Sequence, residues 1–170
     1  ERTQRANNEK GDVLISIHCN SAVKDTARGF ESYRFANVDA GTIAFHNVLH
    51  AEIMKSLGSD INDRGKKQAN FHMLRESAMK AVLTENLFIN NAADAALLKQ
   101  DSFIEKLAQG HVNGIVKFLG LQRIEKPPKQ KKSVDKLYYV QVGAFEDKEN
   151  ADALAADLRK NGYRPFIKYE

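Results

Sequence analysis

Apolar positions along the chain fall into runs with two different spacings. Residues 12–17, DVLISI, are almost continuously apolar, the pattern of a strand covered on both faces as in a parallel sheet. GFESYRF, residues 29–35, is a second β-like run. Ile43, Ala44, Phe45, Val48, Leu49, Ile53, Met54 and Leu57 then recur at helical spacing and stop at Gly58, a residue suited to a helix C-terminus. After NFHML comes MKAVLTEN, a further buried-strand pattern that ends in a carboxylate. Ser102 followed by Glu105 is the signature of a capping box for a last helix. Its core face is expected to carry Phe103, Leu107, Val112, Ile115, Val116 and Leu119 before Gly120 ends it. Strands alternating with helices predict an α/β fold with a mostly parallel sheet flanked by helices. Ligands of such sheets bind beyond the carboxyl ends of the strands.

The periodic pattern breaks at residues 122–136, QRIEKPPKQKKSVDK, which hold six Lys or Arg against Glu125 and Asp135. That net of +4 equals the value for all 170 residues, so the rest of the chain is neutral in sum and the basic character belongs to this segment. With Pro127-Pro128 and few apolar residues it reads as an extended, solvated tether. No aromatic residue interleaves with its lysines to stack on bases, so nucleic acid is not an expected partner. The tether divides the chain into residues 1–121, 122–136 and 137–170. In the last part, Val140 and Val142 alternate with Tyr139 and Gln141, and Ala151, Leu154, Ala155 and Leu158 form a helical stripe ending at Asn161-Gly162. Strand, helix and strand are expected there, a partial βαβ module.

Composition narrows the class. A hydrophobic fraction of 42% is that of a globular protein, and Cys19, the sole cysteine, rules out an intrachain disulfide framework. No apolar run reaches the ~18 residues of a membrane span. The chain opens on Glu1 in ERTQRANNEK, which reads as the polar tail of a helix, and closes on a strand-like RPFIKYE. A piece cut at both ends is expected.

Two polar groups stand where an α/β sheet places its chemistry, His18 after DVLISI and Glu85 after AVLT. His18 suits a zinc ligand, with Asn20 holding the loop or the ligand's surroundings, and Glu85 suits a general base. The plainer alternatives are a hydrogen-bonded strand-end histidine and a helix-capping carboxylate. His46 and His50 have the four-residue spacing of a zincin motif, but HNVLH lacks its glutamate, so ordinary surface or boundary histidines are expected. Cys19 is either a reactive thiolate or a small apolar residue.

The segments RTQRANN, DVLISIHCNSA, ARGFESY and RGKKQANFHMLRESAMKAVLTENLFINNAADAALL together resemble the zinc-dependent N-acetylmuramoyl-L-alanine amidases of bacterial cell walls. The resemblance covers nearly all of residues 1–121 and is most specific at SIHCN and AVLTENLFINN. It implies Zn2+ as cofactor, His18 as a zinc ligand and Glu85 as the catalytic glutamate. Asn20, Arg75, Phe88 and Asn91 fall on motif positions with structural or substrate-facing roles, and Arg75, Asn20 and Asn91 are the substrate-binding candidates. The family's zinc is held by a histidine, a glutamate and a second histidine. The first two belong to an opening strand and helix, so His18 is expected as the third ligand without its partners. Lys80 stands where the family commonly has proline.

LYYVQVGAFEDKENADALAADLRKNGYRPFIKY is similar to the first half of a SPOR domain, a cell-wall module that binds glycan strands stripped of stem peptides. Tyr139 and Gln141 are its candidate glycan contacts, through ring stacking and hydrogen bonding. The two resemblances imply hydrolysis of the amide between N-acetylmuramic acid and L-alanine in peptidoglycan, in the cell wall or outside the cell. Glycan bearing stem peptides would be the substrate, and denuded glycan the ligand of the second module. The alternatives are a non-catalytic peptidoglycan-binding protein with a degenerate amidase fold and a zinc carboxypeptidase. The latter needs an arginine clamp, for which Arg75 is the candidate.

Overall fold

A computed structural model describes residues 2–122 and 140–168. The chain divides between Ile124 and Glu125 into two compact units. The tether from residue 123 onward and Tyr139 lie outside the described residues.

The first unit runs α1 (Arg2–Glu9), β1 (Val13–Asn20), β2 (Phe30–Arg34), α2 (Ala40–Leu57), β3 (Asp63–Gln68), α3 (His72–Arg75), β4 (Lys80–Phe88), α4 (Ala92–Leu98) and α5 (Asp101–Leu119). Its four strands lie in the order β1-β4-β2-β3. β1 pairs with β4 and β2 with β3 in parallel, while β2 runs antiparallel to β4, so the sheet is mostly parallel as expected. β4 is the strand buried along most of its length. β1 departs from expectation, because as an edge strand it is only half-buried and leaves Ile17 61% exposed. β3, DRGKKQ, carries no apolar side chain to announce it, and charged residues of this kind suit an exposed sheet edge.

α2 and α5 pack on each other and on one face of the sheet, joining Phe45, Leu49, Ile53 and Leu57 to Phe30, Val82, Leu87, Phe103 and Leu107. α2 is capped by Asp39, whose side chain accepts from the Thr42 N–H at 2.6 Å, and ends at Gly58. α5 begins two residues before the expected box. Its N-cap is Gln100, whose carbonyl takes the Phe103 and Ile104 N–H groups, so Ser102 lies inside the helix. Val112 is 48% exposed, because α5 turns Gly110, His111 and Gly114 to the core instead. A Cβ on Gly110 would lie 2.8 Å from the Ile53 Cα, and one on Gly114 2.9 Å from the Leu49 Cα. The helices approach this closely only because both positions lack a side chain. The opposite face of the sheet holds a smaller cluster of Leu74, Ala81 and Leu83 against Leu14, Tyr33 and Phe35.

His46 and His50 are not surface or boundary residues. They face the sheet from α2 and are 2% and 5% exposed, because Ser32 offers them a buried partner. Ser32 Oγ lies 2.7 Å from both His46 Nε2 and His50 Nδ1, and His50 Nε2 lies 2.9 Å from Asp63 Oδ1. Burial, then the charges of His50, Arg34 and Lys66, push His46 down to about 4. Burial also lowers His50 against the pull of Asp63, and it lowers His111, whose Nδ1 bonds to the Leu107 carbonyl.

In the second unit α6 spans Lys148–Lys160 and buries Ala155, as the apolar stripe predicts. The runs 140–145 and 163–168 flank it, and the strands expected on either side of the helix extend into residues outside those described. Val140, Val142, Tyr163 and Phe166 are exposed. Among the described residues no helix is long and apolar enough to cross a membrane.

Gly114→Val should lower unfolding stability by about 2–3 kcal/mol through overpacking against Leu49. Gly120→Ala, at φ 63° with open space around it, should cost about 1 kcal/mol of backbone strain. Urea titration distinguishes them, and equal losses would mean that the helix seam is looser than described. The histidines set the acid limb. An unfolded histidine titrates near about 6.5, and His46 in the fold near about 4, so the unfolded chain takes up protons first as pH falls. Stability is full above pH ~6.5 and is lost as pH falls toward ~4. A melting temperature that stays level from pH 7 to 4.5 would contradict neutral, buried imidazoles.

Candidate active site

The face of the sheet away from α2 and α5 carries a row of polar side chains. Parallel pairing sets His18 of β1 directly beside Glu85 of β4, and antiparallel pairing sets Glu85 beside Glu31 of β2. His18 and Glu85, 67 residues apart in sequence, are thus neighbours on adjacent strands, as the strand patterns predict. The His18 ring is exposed, with Nε2 2.8 Å from Ser16 Oγ.

The two carboxylates differ in their surroundings. Glu31 is 3% exposed and saturated with donors. Its Oε1 accepts from Asn20 Nδ2 at 2.7 Å and Tyr33 Oη at 2.6 Å, and its Oε2 from Arg64 Nε at 2.7 Å and Lys67 Nζ at 2.5 Å. Burial pushes its pKa up, but the bonds from Lys67, Tyr33 and Arg64 outweigh burial and hold it at about 2. Glu85 Oε2 is buried with no hydrogen-bond partner. Burial, then the Glu31 charge, raises the Glu85 pKa above the ordinary carboxylate range. Two carboxylates pushed in opposite directions are a pattern of acid–base sites. The same field acts on Cys19, an exposed residue whose thiol is raised by burial and then by Glu85, which disfavours the thiolate.

A break in the strand geometry accompanies this row. The β1–β4 register slips between His18 and Asn20, and Leu87 sits at φ 66°. This irregularity lets Asn86 and Leu87 both bury, while Phe88 lies with its ring centroid 4.8 Å from the Arg64 guanidinium. A non-glycine residue held there costs on the order of 1–2 kcal/mol, and such strain recurs at functional sites. Asn86 Nδ2 donates to the His18 carbonyl at 2.7 Å, fixing the backbone beneath the imidazole.

The other expected site residues are committed elsewhere. Asn20 positions Glu31 and takes the Ser21 N–H at 2.8 Å, so it supports the site from behind. Asn91 caps α4 through the Asp94 N–H and donates to the Asp25 carbonyl at 2.6 Å, so both ends of its carboxamide are engaged. Arg75 bonds to Glu76 and Asn70 and lines a cavity of about 530 Å3 with Gly11, Asp12 and Lys80, at the amino ends of β1 and β4. It is therefore not placed as a clamp beside Glu85. Gln141 is exposed, and among the described residues its Nε2 donates to the Gly143 carbonyl at 3.5 Å. Among the described residues no group of three His, Cys, Asp or Glu is arranged to hold a metal.

Sequence reading passed over Glu31, Arg64, Lys67 and Asn90. The available signal for Glu31 was a carboxylate alternating with Tyr33 in an otherwise β-forming run. Asn90 clamps Ala22, donating to its carbonyl at 2.7 Å and accepting from its N–H at 3.1 Å, and so ties down the loop after β1. Asp94 is buried and receives the Gly29 and Phe88 N–H groups.

The fold and the site together define a class, an α/β catalytic domain with a histidine and a glutamate paired on one open sheet face. Solved counterparts carry the same architecture. The catalytic domain of CwlV, an N-acetylmuramoyl-L-alanine amidase from Bacillus (Paenibacillus) polymyxa var. colistinus, is 35% identical at a TM-score of 0.66, covering 71% of this chain and 65% of that one. An N-acetylmuramoyl-L-alanine amidase from Clostridium difficile 630 is 31% identical at 0.67, covering 70% and 63%. The N-acetylmuramoyl-L-alanine amidase family profile matches residues 1–117 and the SPOR domain profile residues 134–170. The chain belongs to the N-acetylmuramoyl-L-alanine amidase family, with a SPOR domain after the amidase part. It is 45% identical over 167 residues to the sporulation-specific N-acetylmuramoyl-L-alanine amidase of Bacillus subtilis (strain 168), and 41% identical over 169 to N-acetylmuramoyl-L-alanine amidase CwlM of Bacillus licheniformis. These matches cover 98% and 99% of this chain but 60% and 61% of the relatives, so it spans about three-fifths of their length.

Glu31→Gln should lower stability by about 2 kcal/mol, since Arg64 and Lys67 lose their counter-charge while remaining partly solvated. Thermal melting checks this, and an unchanged midpoint would mean that the cations do not depend on Glu31.

Proposed function

We propose that the full-length protein hydrolyses the amide between N-acetylmuramic acid and L-alanine in peptidoglycan, with Glu85 as general base and then general acid. The carrying observation is the in-register pairing of His18 with a Glu85 whose Oε2 is buried and unpartnered. Glu85 takes a proton from the attacking water as the water oxygen bonds to the scissile carbonyl carbon. It returns the proton to the L-alanine nitrogen as the carbon–nitrogen bond breaks. A raised proton affinity suits the second step, and burial, followed by the fixed charge of Glu31, maintains it. Asn86, through the His18 carbonyl, and Asn20, through Glu31, hold the two sides of the row in place.

Zinc, when bound, supplies Lewis acidity toward the carbonyl and toward water. Its fit to these residues is partial. The exposed His18 imidazole is a suitable donor, but three protein ligands are usual for a catalytic zinc and the described residues supply no such group. His18 would hold one position of a site completed by other donors. The SPOR part is proposed to bind denuded glycan, with Gln141 and Tyr139 as contacts, and the protein to work in the cell wall. One module then removes stem peptides and the other binds what remains.

In the full-length protein, Glu85→Gln should lower turnover of peptidoglycan by at least roughly 10²-fold with zinc content retained. His18→Ala should lose the metal, read by elemental analysis. Undiminished activity in Glu85→Gln, or zinc loss as complete as in His18→Ala, would remove Glu85 from the role of base.

A further inference from the structure

β3 reads Asp63-Arg64-Gly65-Lys66-Lys67-Gln68, and strict alternation would send Arg64 and Lys67 to opposite faces of the sheet. Gly65, at φ 86°, breaks the alternation where the β2–β3 register shifts. Both cations therefore reach the face of Glu31, while Lys66 turns away to bond Asn47 of α2. A bulge gives up regular pairing, and bulges recur where a side chain has to be re-aimed. Neither cation is saturated by its bond to Glu31. Lys67 spends one of its three N–H donors on Glu31, and Arg64 spends its Nε–H, leaving the fork of terminal nitrogens free to donate. Their side chains are 36% and 31% exposed, so the spare donors are reachable from solvent.

We propose that Arg64 and Lys67 form a carboxylate-binding subsite, which engages a free carboxyl group of the stem peptide during the reaction assigned above. This inference rests on that reading of Glu85 as the amidase base. Glu31 draws both cations over β2, one strand from Glu85, and β3 lies one strand further. At about 4.8 Å per strand this is roughly 5–10 Å across the sheet from Glu85. An extended peptide covers that distance in about two or three residues, so the group recognised lies within the first residues of the stem. A planar guanidinium beside an ammonium suits a carboxylate, whereas neutral sugar hydroxyls need no cation.

The test uses the full-length, zinc-loaded protein and two soluble muramoyl peptides that differ only in whether their carboxyl groups are free or amidated. KM for cleavage and Kd by calorimetry are measured for both, with melting temperatures for every variant. The wild-type protein should favour the free-carboxyl peptide about tenfold, and Lys67→Gln and Arg64→Gln should each erode that preference. Equal affinity of the wild-type protein for the two peptides overturns the subsite while leaving the amidase reading intact. A preference that survives both substitutions, with only the melting temperature lowered, overturns it too and reduces the cations to supports for Glu31. If neither peptide is cleaved, the amidase reading fails, and the Kd pair still decides whether the carboxylate is recognised.

Discussion

One-sided cover governs this sheet. With α2 and α5 seated on a single face, the side chains of β4 up to Asn86 are sorted by alternation either into the helix-covered core or onto the face that bears Glu85, and the break at Leu87 adds that residue to the core. Val82, Thr84 and Leu87 go one way, and Ala81, Leu83 and Glu85 the other. Thr84 and Asn86 are admitted to the covered side only because His111 and the His18 carbonyl give them partners. The second face is closed by Leu74 and Phe35 at the amino end of β4 and left to charged groups further along it. The chemistry lies where hydrophobic cover stops.

Across that face the proton affinities of two carboxylates diverge for opposite physical reasons. Glu31 is paid for in full by four donors, which makes its charge a constant of the fold. Glu85 has no such compensation and also feels that constant charge, so its proton is held more tightly. The role of base and then acid proposed for Glu85 needs this intermediate hold. The strained backbone at Leu87 and the bulge at Gly65 are local departures that keep the row in one plane of the face.

Much of this was legible in the chain. The apolar run before Glu85 and the helical stripe of α2 identify buried elements without ambiguity, and with β1 they bring His18 to Glu85. What escaped were features whose cause is tertiary. β3 has no apolar residue, so no periodicity betrays it, and Glu31 sits in a short run whose register against β4 a linear reading cannot supply. His46 and His50 read as surface residues because nothing local shows that Ser32, on another strand, offers them a buried hydroxyl. Asn91 and Arg75 lie on motif positions, yet their side chains hold a helix start and a loop rather than the open face.

The Asn90 clamp on Ala22 has a consequence for how this loop can vary. By bonding both the N–H and the carbonyl of Ala22, the carboxamide does what a neighbouring strand would do, and it fixes the chain just past Asn20. The far end is fixed where the Gly29 N–H meets the buried Asp94. A third pin, from Asn91 to the Asp25 carbonyl, leaves Val23 and Lys24 as the unpinned, solvent-exposed tip. Because closing a longer loop costs only slowly more entropy, insertions or deletions there are tolerated without moving the imidazole. Length at this tip is thus free to diversify while the geometry beneath it stays fixed.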